Sequence, residues 1–96
     1  MERDDVEASL KRKGFDEHEG DHRYYRLMVN GKYSGIFTKT SRGKKYKSLG
    51  KDLVAQMAKQ LFLTKKQFEE LVECTLTQEE YLKLLVARGE LDEGEI

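Results

Sequence analysis

The Asn30-Gly31 dipeptide, set between two strand-like runs, restricts the fold of this chain more than any other feature of the sequence. The runs cover residues 21–29 and 32–39, and Asn-Gly between such runs is typical of a two-residue type I′ turn. The sequence therefore predicts a β-hairpin. Another short strand is predicted at Phe15 to His18, with a turn at Glu19-Gly20, so the sheet has three antiparallel strands.

The register of the hairpin decides which side chains share a face of the sheet. The two-residue loop predicts four pairs: Val29 with Lys32, Leu27 with Ser34, Tyr25 with Ile36, and His22 with Lys39. Because side chains alternate along a strand, one face is apolar and is predicted to be core, with Tyr25, Leu27, Val29 and Ile36. The other face combines an imidazole, cations and aromatic rings: His22, Tyr24, Arg26, Met28, Tyr33, Phe37 and Lys39. Either these aromatic side chains stack on nucleic-acid bases, or they lie as a second hydrophobic layer under the C-terminal helices.

Two helices are predicted on either side of this sheet in the chain. The first covers about residues 5–13, with Asp4 as its N-cap and Gly14 as its left-handed stop. The main core helix covers about residues 49–61 and is opened by Ser48.

Two capping-box patterns, at Thr64–Gln67 and Thr77–Glu80, indicate further helices at about 65–73 and 78–88. The order is then helix, three-stranded antiparallel sheet, helix, and two short C-terminal helices. This order predicts a compact α+β fold.

The size and composition of the chain limit its class. Its 96 residues suit a single domain, 1–96, with one modest core. No long apolar run or secretory signal is found, which predicts a cytoplasmic protein without a membrane partner. Cys74 is the only cysteine, and a small buried residue near a helix end is favoured over a reactive thiol. One cysteine and two histidines do not complete a metal site, and no nucleotide motif is found, so no cofactor is expected.

Charge is segregated along a chain whose formal net charge is zero. Residues 1–48 hold 12 basic and 8 acidic side chains, whereas residues 49–96 hold 6 and 10. No acidic residue lies between Asp21 and Asp52, an interval with nine basic ones: Arg23, Arg26, Lys32, Lys39, Arg42, Lys44, Lys45, Lys47 and Lys51. Such a block is typical of a surface that binds a polyanion such as nucleic acid.

Two short motifs resemble the HicA toxin family of bacterial and archaeal toxin-antitoxin systems. Lys13-Gly14-Phe15 follows the first predicted helix, and Gly20-Asp21-His22-Arg23-Tyr24-Tyr25 opens the second strand, where that family has Gly-Ser-His and hydrophobic residues. The resemblance covers about residues 4–62, so residues 64–88 are a C-terminal helical extension and 89–96 a tail expected to fray. It implies a fold similar to a double-stranded-RNA-binding domain.

The resemblance also implies an activity. HicA proteins are messenger-RNA endonucleases with a catalytic histidine, to which His22 corresponds, and Gly20 corresponds to the glycine before it. The implied partners are messenger RNA and a HicB-like antitoxin protein. Asp21 stands where the family usually has serine, and its carboxylate either orients the His22 imidazole or repels RNA. Phe37 to Ser41 stands where many members have a valine, proline and histidine.

Metal-independent RNA cleavage needs a base for the 2′-hydroxyl proton, a cation for the phosphorane and an acid for the leaving 5′-oxygen. An imidazole, with an unperturbed pKa of about 6.5, can serve as base or acid near neutral pH, so His22 is the candidate for proton transfer. Lys39 and Arg26 are candidates to stabilise phosphate charge. The other predicted nucleic-acid contacts are Arg23, Arg42, Lys44, Lys45 and Lys47, and Tyr24 with Gly20 supports the site.

His18 is disfavoured as a second proton-transfer group, because Asp16, Glu17 and Glu19 surround it in the sequence and are expected to repel an RNA backbone. Three functions stay open. They are an endoribonuclease toxin, a non-catalytic RNA-binding module that uses the basic turn at residues 41–47, called the basic segment below, and a protein-interaction domain that binds through its acidic C-terminal helices. Salt dependence separates the protein-interaction domain from the other two, because RNA affinity falls steeply with salt when several cations contact phosphates.

Overall fold

A computed structural model of the protein describes residues 1–41 and 47–95. The elements in chain order are α1 (Arg3–Arg12), β1 (Phe15–Glu19), β2 (Arg23–Val29), β3 (Lys32–Thr40), α2 (Lys51–Gln60), α3 (Lys65–Val72) and α4 (Gln78–Ala87), followed by a 3-10 turn at Glu93–Glu95. The strands form one antiparallel sheet in the order β1-β2-β3. The predicted α+β fold is therefore confirmed. No helix among the described residues is long and apolar enough to cross a membrane.

The Asn30-Gly31 turn joins β2 to β3 as predicted. Asn30 has a φ of 51° and Gly31 a φ of 79°, and a type I′ turn requires positive φ at both positions. Val29 pairs with Lys32 directly beside the turn, which confirms the predicted start of the register.

The register then changes at a bulge in β3. Met28 pairs with Tyr33, but Arg26 pairs with Phe37, so residues 34–36 all lie opposite a single residue of β2. Gly35 at this bulge has a φ of 87°, a conformation that side chains with a Cβ rarely adopt.

Two of the predicted pairs are wrong because of this bulge. Tyr25 pairs with Thr38 rather than Ile36, and Lys39 pairs with Tyr24 rather than His22. The alternation of apolar and polar residues gives no sign of the two additional residues, although an isolated glycine within a strand, here Gly35, is typical of a bulge. Because the shift is two residues, each side chain of β3 nevertheless stays on its predicted face.

The helices pack on the apolar face of the sheet. All four predicted core residues of this face are buried: Tyr25, Leu27, Val29 and Ile36. Each helix adds buried side chains to the same cluster: Val6 and Leu10 from α1, Val54 and Met57 from α2, Phe68 and Leu71 from α3, and Tyr81 and Leu85 from α4.

The C-terminal helices belong to this core rather than to a separate layer. The ring of Tyr81 stacks on Phe15 with 6.1 Å between the centroids, and its hydroxyl donates to the Leu61 carbonyl at 3.1 Å. Ser9 Oγ of α1 donates to the Val72 carbonyl at 2.7 Å. After Gly89, which ends α4 with a φ of 75°, Leu91 returns to the core.

The helix starts match the sequence signals in two of four cases. Both predicted capping boxes are present, at Thr64 with Gln67 and at Thr77 with Glu80. The other two predictions, an Asp4 cap and a Ser48 start, are wrong. The N-caps are Glu2 and Gly50, and neither caps through its side chain.

A backbone bridge explains both errors. Glu2 pairs with Ser48 in an antiparallel bridge, and Arg3 N donates to the Lys47 carbonyl at 2.6 Å. Leu49 N donates to the Met1 carbonyl at 2.7 Å. The chain before each helix is therefore extended, and α1 begins one residue before Asp4.

Cys74 is exposed, so the prediction of a buried cysteine is wrong. Its φ is 68°, and it lies just after Glu73, the C-cap of α3. The backbone N–H of Thr75 donates to the Glu70 carbonyl at 2.9 Å, as in a Schellman motif. This left-handed turn directs the thiol out of the core.

Candidate nucleic-acid interface

The face of the sheet opposite the helices carries the predicted site side chains. Tyr24 lies between His18 of β1 and Lys39 of β3, and Arg26 lies between Asp16 and Phe37. Met28 pairs with Tyr33 in the next row. Because the alternate residues Tyr25 and Leu27 are buried under the helices, these side chains point the other way. We call this surface the open face, and its residues are Asp16, His18, Tyr24, Arg26, Met28, Tyr33, Phe37 and Lys39.

The aromatic side chains of the open face are accessible. Tyr33 is 45% exposed and Phe37 is 40% exposed, although both are large hydrophobic residues. The rings of Tyr24 and Phe37 lie 6.1 Å apart and connect β2 to β3. The alternative prediction, a hydrophobic layer covered by the C-terminal helices, is therefore wrong, because α3 and α4 add to the core on the other side.

His22 lies at one end of the open face, in the turn before β2. It is half-buried, and its imidazole meets the Tyr24 ring edge-on, with 6.4 Å between the centroids and 85° between the planes. Its backbone carbonyl accepts a hydrogen bond from Gly20 N at 3.0 Å. The residue before the strand is thus fixed by its backbone, and its ring is placed against Tyr24.

Gly20 makes room for the Tyr24 ring. A Cβ at this position would lie 3.3 Å from Tyr24 Cε2 and 3.7 Å from the His22 carbonyl oxygen. A carbon at 3.3 Å is closer than ordinary van der Waals contact, so any larger residue displaces the ring. The two predicted supporting residues, Gly20 and Tyr24, are in contact beside His22.

Two predicted phosphate-binding cations lie on the open face. Arg26 Nη2 is 3.5 Å from Asp16 Oδ2, and its Cζ lies 5.4 Å from the centroid of the Tyr33 ring. Lys39 is half-buried beside Tyr24, and among residues 1–41 and 47–95 no carboxylate is within ion-pair distance of its amine. Lys39 is the cation of this face whose charge is not neutralised within the described chain.

Arg23 points to the helix side instead. Its Nη1 is 3.1 Å from Glu7 Oε1, and its Nε is 3.5 Å from Glu19 Oε1. Attraction by the Glu7 carboxylate is the main cause that raises the pKa of the Arg23 guanidinium. Thr40 Oγ1 donates to the same carboxylate at 2.6 Å. Arg23 therefore joins α1 to the end of the sheet and does not join the open face.

The basic segment begins and ends beside α1. Arg3 Nη1 donates to the Ser41 carbonyl at 2.9 Å, and Arg3 N donates to the carbonyl of Lys47, whose side chain is exposed. Thr40, just before this segment, pairs with Arg23, the residue after His22. The segment therefore starts at the sheet end where His22 lies. The predicted contacts Arg42, Lys44 and Lys45 lie outside the described residues.

His18 was disfavoured from the sequence but lies on the open face, directly opposite Tyr24. The strand alternation sends its neighbours Glu17 and Glu19 to the other face. There Tyr25 Oη donates to Glu17 Oε1 at 2.7 Å, a bond that is the main cause lowering the pKa of Glu17. The signal that could have identified this arrangement is the period of two along β1, since residues close in sequence are separated by the sheet.

Comparison of the chain with models of protein families, with curated proteins and with solved structures finds no significant match. The resemblance to HicA toxins accordingly rests on the motifs at Lys13-Gly14-Phe15 and Gly20-Asp21-His22 and on the order of the elements.

Proposed function

We propose that the protein is a cytoplasmic, metal-independent endoribonuclease of the HicA kind, which cleaves messenger RNA at the open face and is held inactive by a HicB-like antitoxin protein. The observation that carries this proposal is the uncovered sheet face, which brings an imidazole, an aromatic ring and an unneutralised lysine together at His22, Tyr24 and Lys39. A covered face would have left no access for RNA.

In this proposal His22 accepts the proton of a ribose 2′-hydroxyl. The 2′-oxygen attacks phosphorus and the bond from phosphorus to the 5′-oxygen breaks, which leaves a 2′,3′-cyclic phosphate and a 5′-hydroxyl. Lys39 stabilises the charge on the phosphorane oxygens. Tyr24, Tyr33 and Phe37 stack on bases, and the basic segment that starts after Ser41 contacts the phosphates further along the strand.

A non-catalytic RNA-binding module is the second candidate. The observation that favours it is the Arg26 and Tyr33 pair, where a guanidinium lies against an exposed ring and offers stacking without an imidazole. In this function the open face and basic segment bind RNA, and His22 has no chemical role.

Cleavage of an end-labelled single-stranded RNA in EDTA tests the two candidates. We expect the wild-type protein to cut it and to leave cyclic-phosphate ends, and His22→Ala to lose at least about 100-fold in rate, the usual contribution of a general base. Salt-sensitive binding without cutting, equal in both proteins, would contradict the nuclease and support the binding module. Lys32→Ala, at the far end of the sheet, is the control for general loss of charge.

A further inference from the structure

We propose that His18 is a second catalytic residue, the general acid that protonates the leaving 5′-oxygen while His22 takes the 2′-hydroxyl proton. This inference rests on the proposed nuclease function. It adds a residue from β1 to the proposed site. Neither the motif around His22 nor the sequence around His18 indicates a catalytic role for His18.

The positions of the two histidines suit a pair of proton-transfer groups. His18 of β1 pairs with Tyr24, and the His22 ring meets the Tyr24 ring edge-on from the turn that joins β1 to β2. Tyr24 therefore lies beside both histidines, and we expect a phosphate bound at Tyr24 to be within reach of both imidazoles. The attacking and leaving oxygens lie on opposite sides of phosphorus, so the base and the acid are needed on opposite sides of it.

Both imidazoles are available for proton transfer. In the described part of the chain no backbone or side-chain group hydrogen-bonds a ring nitrogen of His18 or His22. His18 is exposed, and the ring contact of His22 is with Tyr24.

The carboxylates around His18 do not form an acidic surface. Glu17 lies on the helix side, bonded to Tyr25 and 3.4 Å from Lys11 Nζ, and Glu19 pairs with Arg23. Asp16 shares the open face but pairs with Arg26 at 3.5 Å. Glu17 and Glu19 therefore face away from RNA bound at the open face, and the charge of Asp16 is paired with that of Arg26.

The reaction balances with two histidines and no other reagent. The bond between the 2′-oxygen and phosphorus forms as the bond from phosphorus to the 5′-oxygen breaks. His22 gains the hydroxyl proton, and His18 loses one to the 5′-oxygen. Exchange with water restores both imidazoles.

A substrate with sulfur in place of the leaving 5′-oxygen tests the role of His18, because a thiolate leaves without protonation. We expect His18→Gln to cleave ordinary RNA about 100-fold more slowly than wild type and the sulfur-containing RNA within about 3-fold of it. His22→Ala is expected to be impaired on both substrates. Far-UV circular dichroism and the thermal midpoint check that each variant is folded.

The other outcomes separate the two proposals. If His18→Gln cuts ordinary RNA at the wild-type rate while His22→Ala does not, the role of His18 is wrong and the nuclease stands. An equal loss on both substrates overturns the assignment of His18 as the acid. If the wild-type protein cuts neither RNA, the nuclease function and the role of His18 both fall.

Discussion

The hydrogen bond from Tyr25 to Glu17 joins a buried strand residue to the edge strand beside it. Tyr25 is fully buried, and its hydroxyl donates to a carboxylate that Lys11 also approaches. Burial is the main cause that raises the pKa of Tyr25, so the phenol stays protonated and stays a donor. The pKa of Glu17 is lowered, and the ionised carboxylate is therefore the form that stabilises the fold.

Tyr25→Phe is expected to lower the free energy of unfolding at pH 7 by about 1–2 kcal/mol, since the bond has an ionised acceptor. The stability linked to Glu17 is present above its unfolded pKa of about 4.3 and is lost as pH falls through the lower pKa of the folded state. The difference between the two proteins should therefore narrow at pH 3. Urea unfolding at both pH values measures it, and Tyr33→Phe, whose ring is exposed, is the control. A difference that does not change with pH would contradict this account.

Lys39→Ala is expected to weaken RNA binding and to reduce the slope of log affinity against log salt concentration by about 0.7, the value for one phosphate contact on a single strand. The reason is that Lys39 lies on the open face without an ion-pair partner in the described chain. Binding isotherms at several salt concentrations measure the slope. Lys32→Ala removes the same charge next to the Asn30-Gly31 turn, and an equal change there would show that the effect is not local.

At the scale of elements, the left-handed residues that end the helices are not all glycine. Gly89 follows α4, but Phe62 follows α2 with a φ of 61° and Cys74 follows α3 with a φ of 68°. The left-handed conformation costs a residue with a Cβ roughly 1–2 kcal/mol compared with its usual conformations. These helix ends form because the rest of the fold imposes them.

Cys74→Gly is expected to raise the free energy of unfolding by about 0.5–1 kcal/mol, because glycine adopts the left-handed conformation without this steric cost. The exposed thiol donates one long hydrogen bond, to the Val72 carbonyl at 3.8 Å, which both Cys74→Gly and Cys74→Ala remove. Cys74→Ala keeps the Cβ and is the matched control, for which little change is expected. Urea unfolding under reducing conditions measures both variants, and equal stability of the two would contradict the explanation.

The elements themselves could be predicted from local chemistry, whereas their alignment could not. Asn30-Gly31 and the two capping boxes act within a few residues, so the sequence contains the whole signal. The bulge at Gly35 depends on how two strands fit together, and the bridge between Glu2 and Ser48 joins residues far apart in the chain. The same reason explains the site. Tyr24 lies on the predicted face, but His22 lies in the turn before β2 and not in the strand opposite Lys39. The period of two along β1 separates His18 from Glu17 and Glu19, whereas its position opposite Tyr24 depends on the pairing of β1 with β2.

For the whole molecule, the C-terminal helices complete the core that α1, the sheet and α2 form. Phe68, Leu71, Tyr81 and Leu85 are fully buried and belong to the same cluster as Leu10 and Leu27. A domain of this size buries only a modest apolar core, so the removal of one helix exposes core residues of the other helices to water. We therefore expect the described chain to unfold as one unit.

Phe68→Ala is expected to cost about 3–5 kcal/mol, the range for a large side chain removed from a packed core. The unfolding curves from far-UV circular dichroism and from tyrosine fluorescence should still coincide, because α3 and the sheet share one core. Phe62→Ala, at an exposed site of the same residue type, is the control. An early separate transition for the helical signal would show that residues 64–88 fold independently.

The bulge opposite Leu27 has a consequence for how this protein can change length during evolution. Loss of two residues from 34–36 would leave a regular hairpin in which Lys39 still faces Tyr24 and the buried hydroxyls of Thr38 and Thr40 still face the helices. Loss of a single residue would leave two residues opposite Leu27, the arrangement of an ordinary β-bulge, so Phe37 would still pair with Arg26 and keep its face. Residues 34–36 are therefore expected to absorb changes in the length of β3, whereas a one-residue slip that no bulge absorbs would move the surface proposed here to the interior.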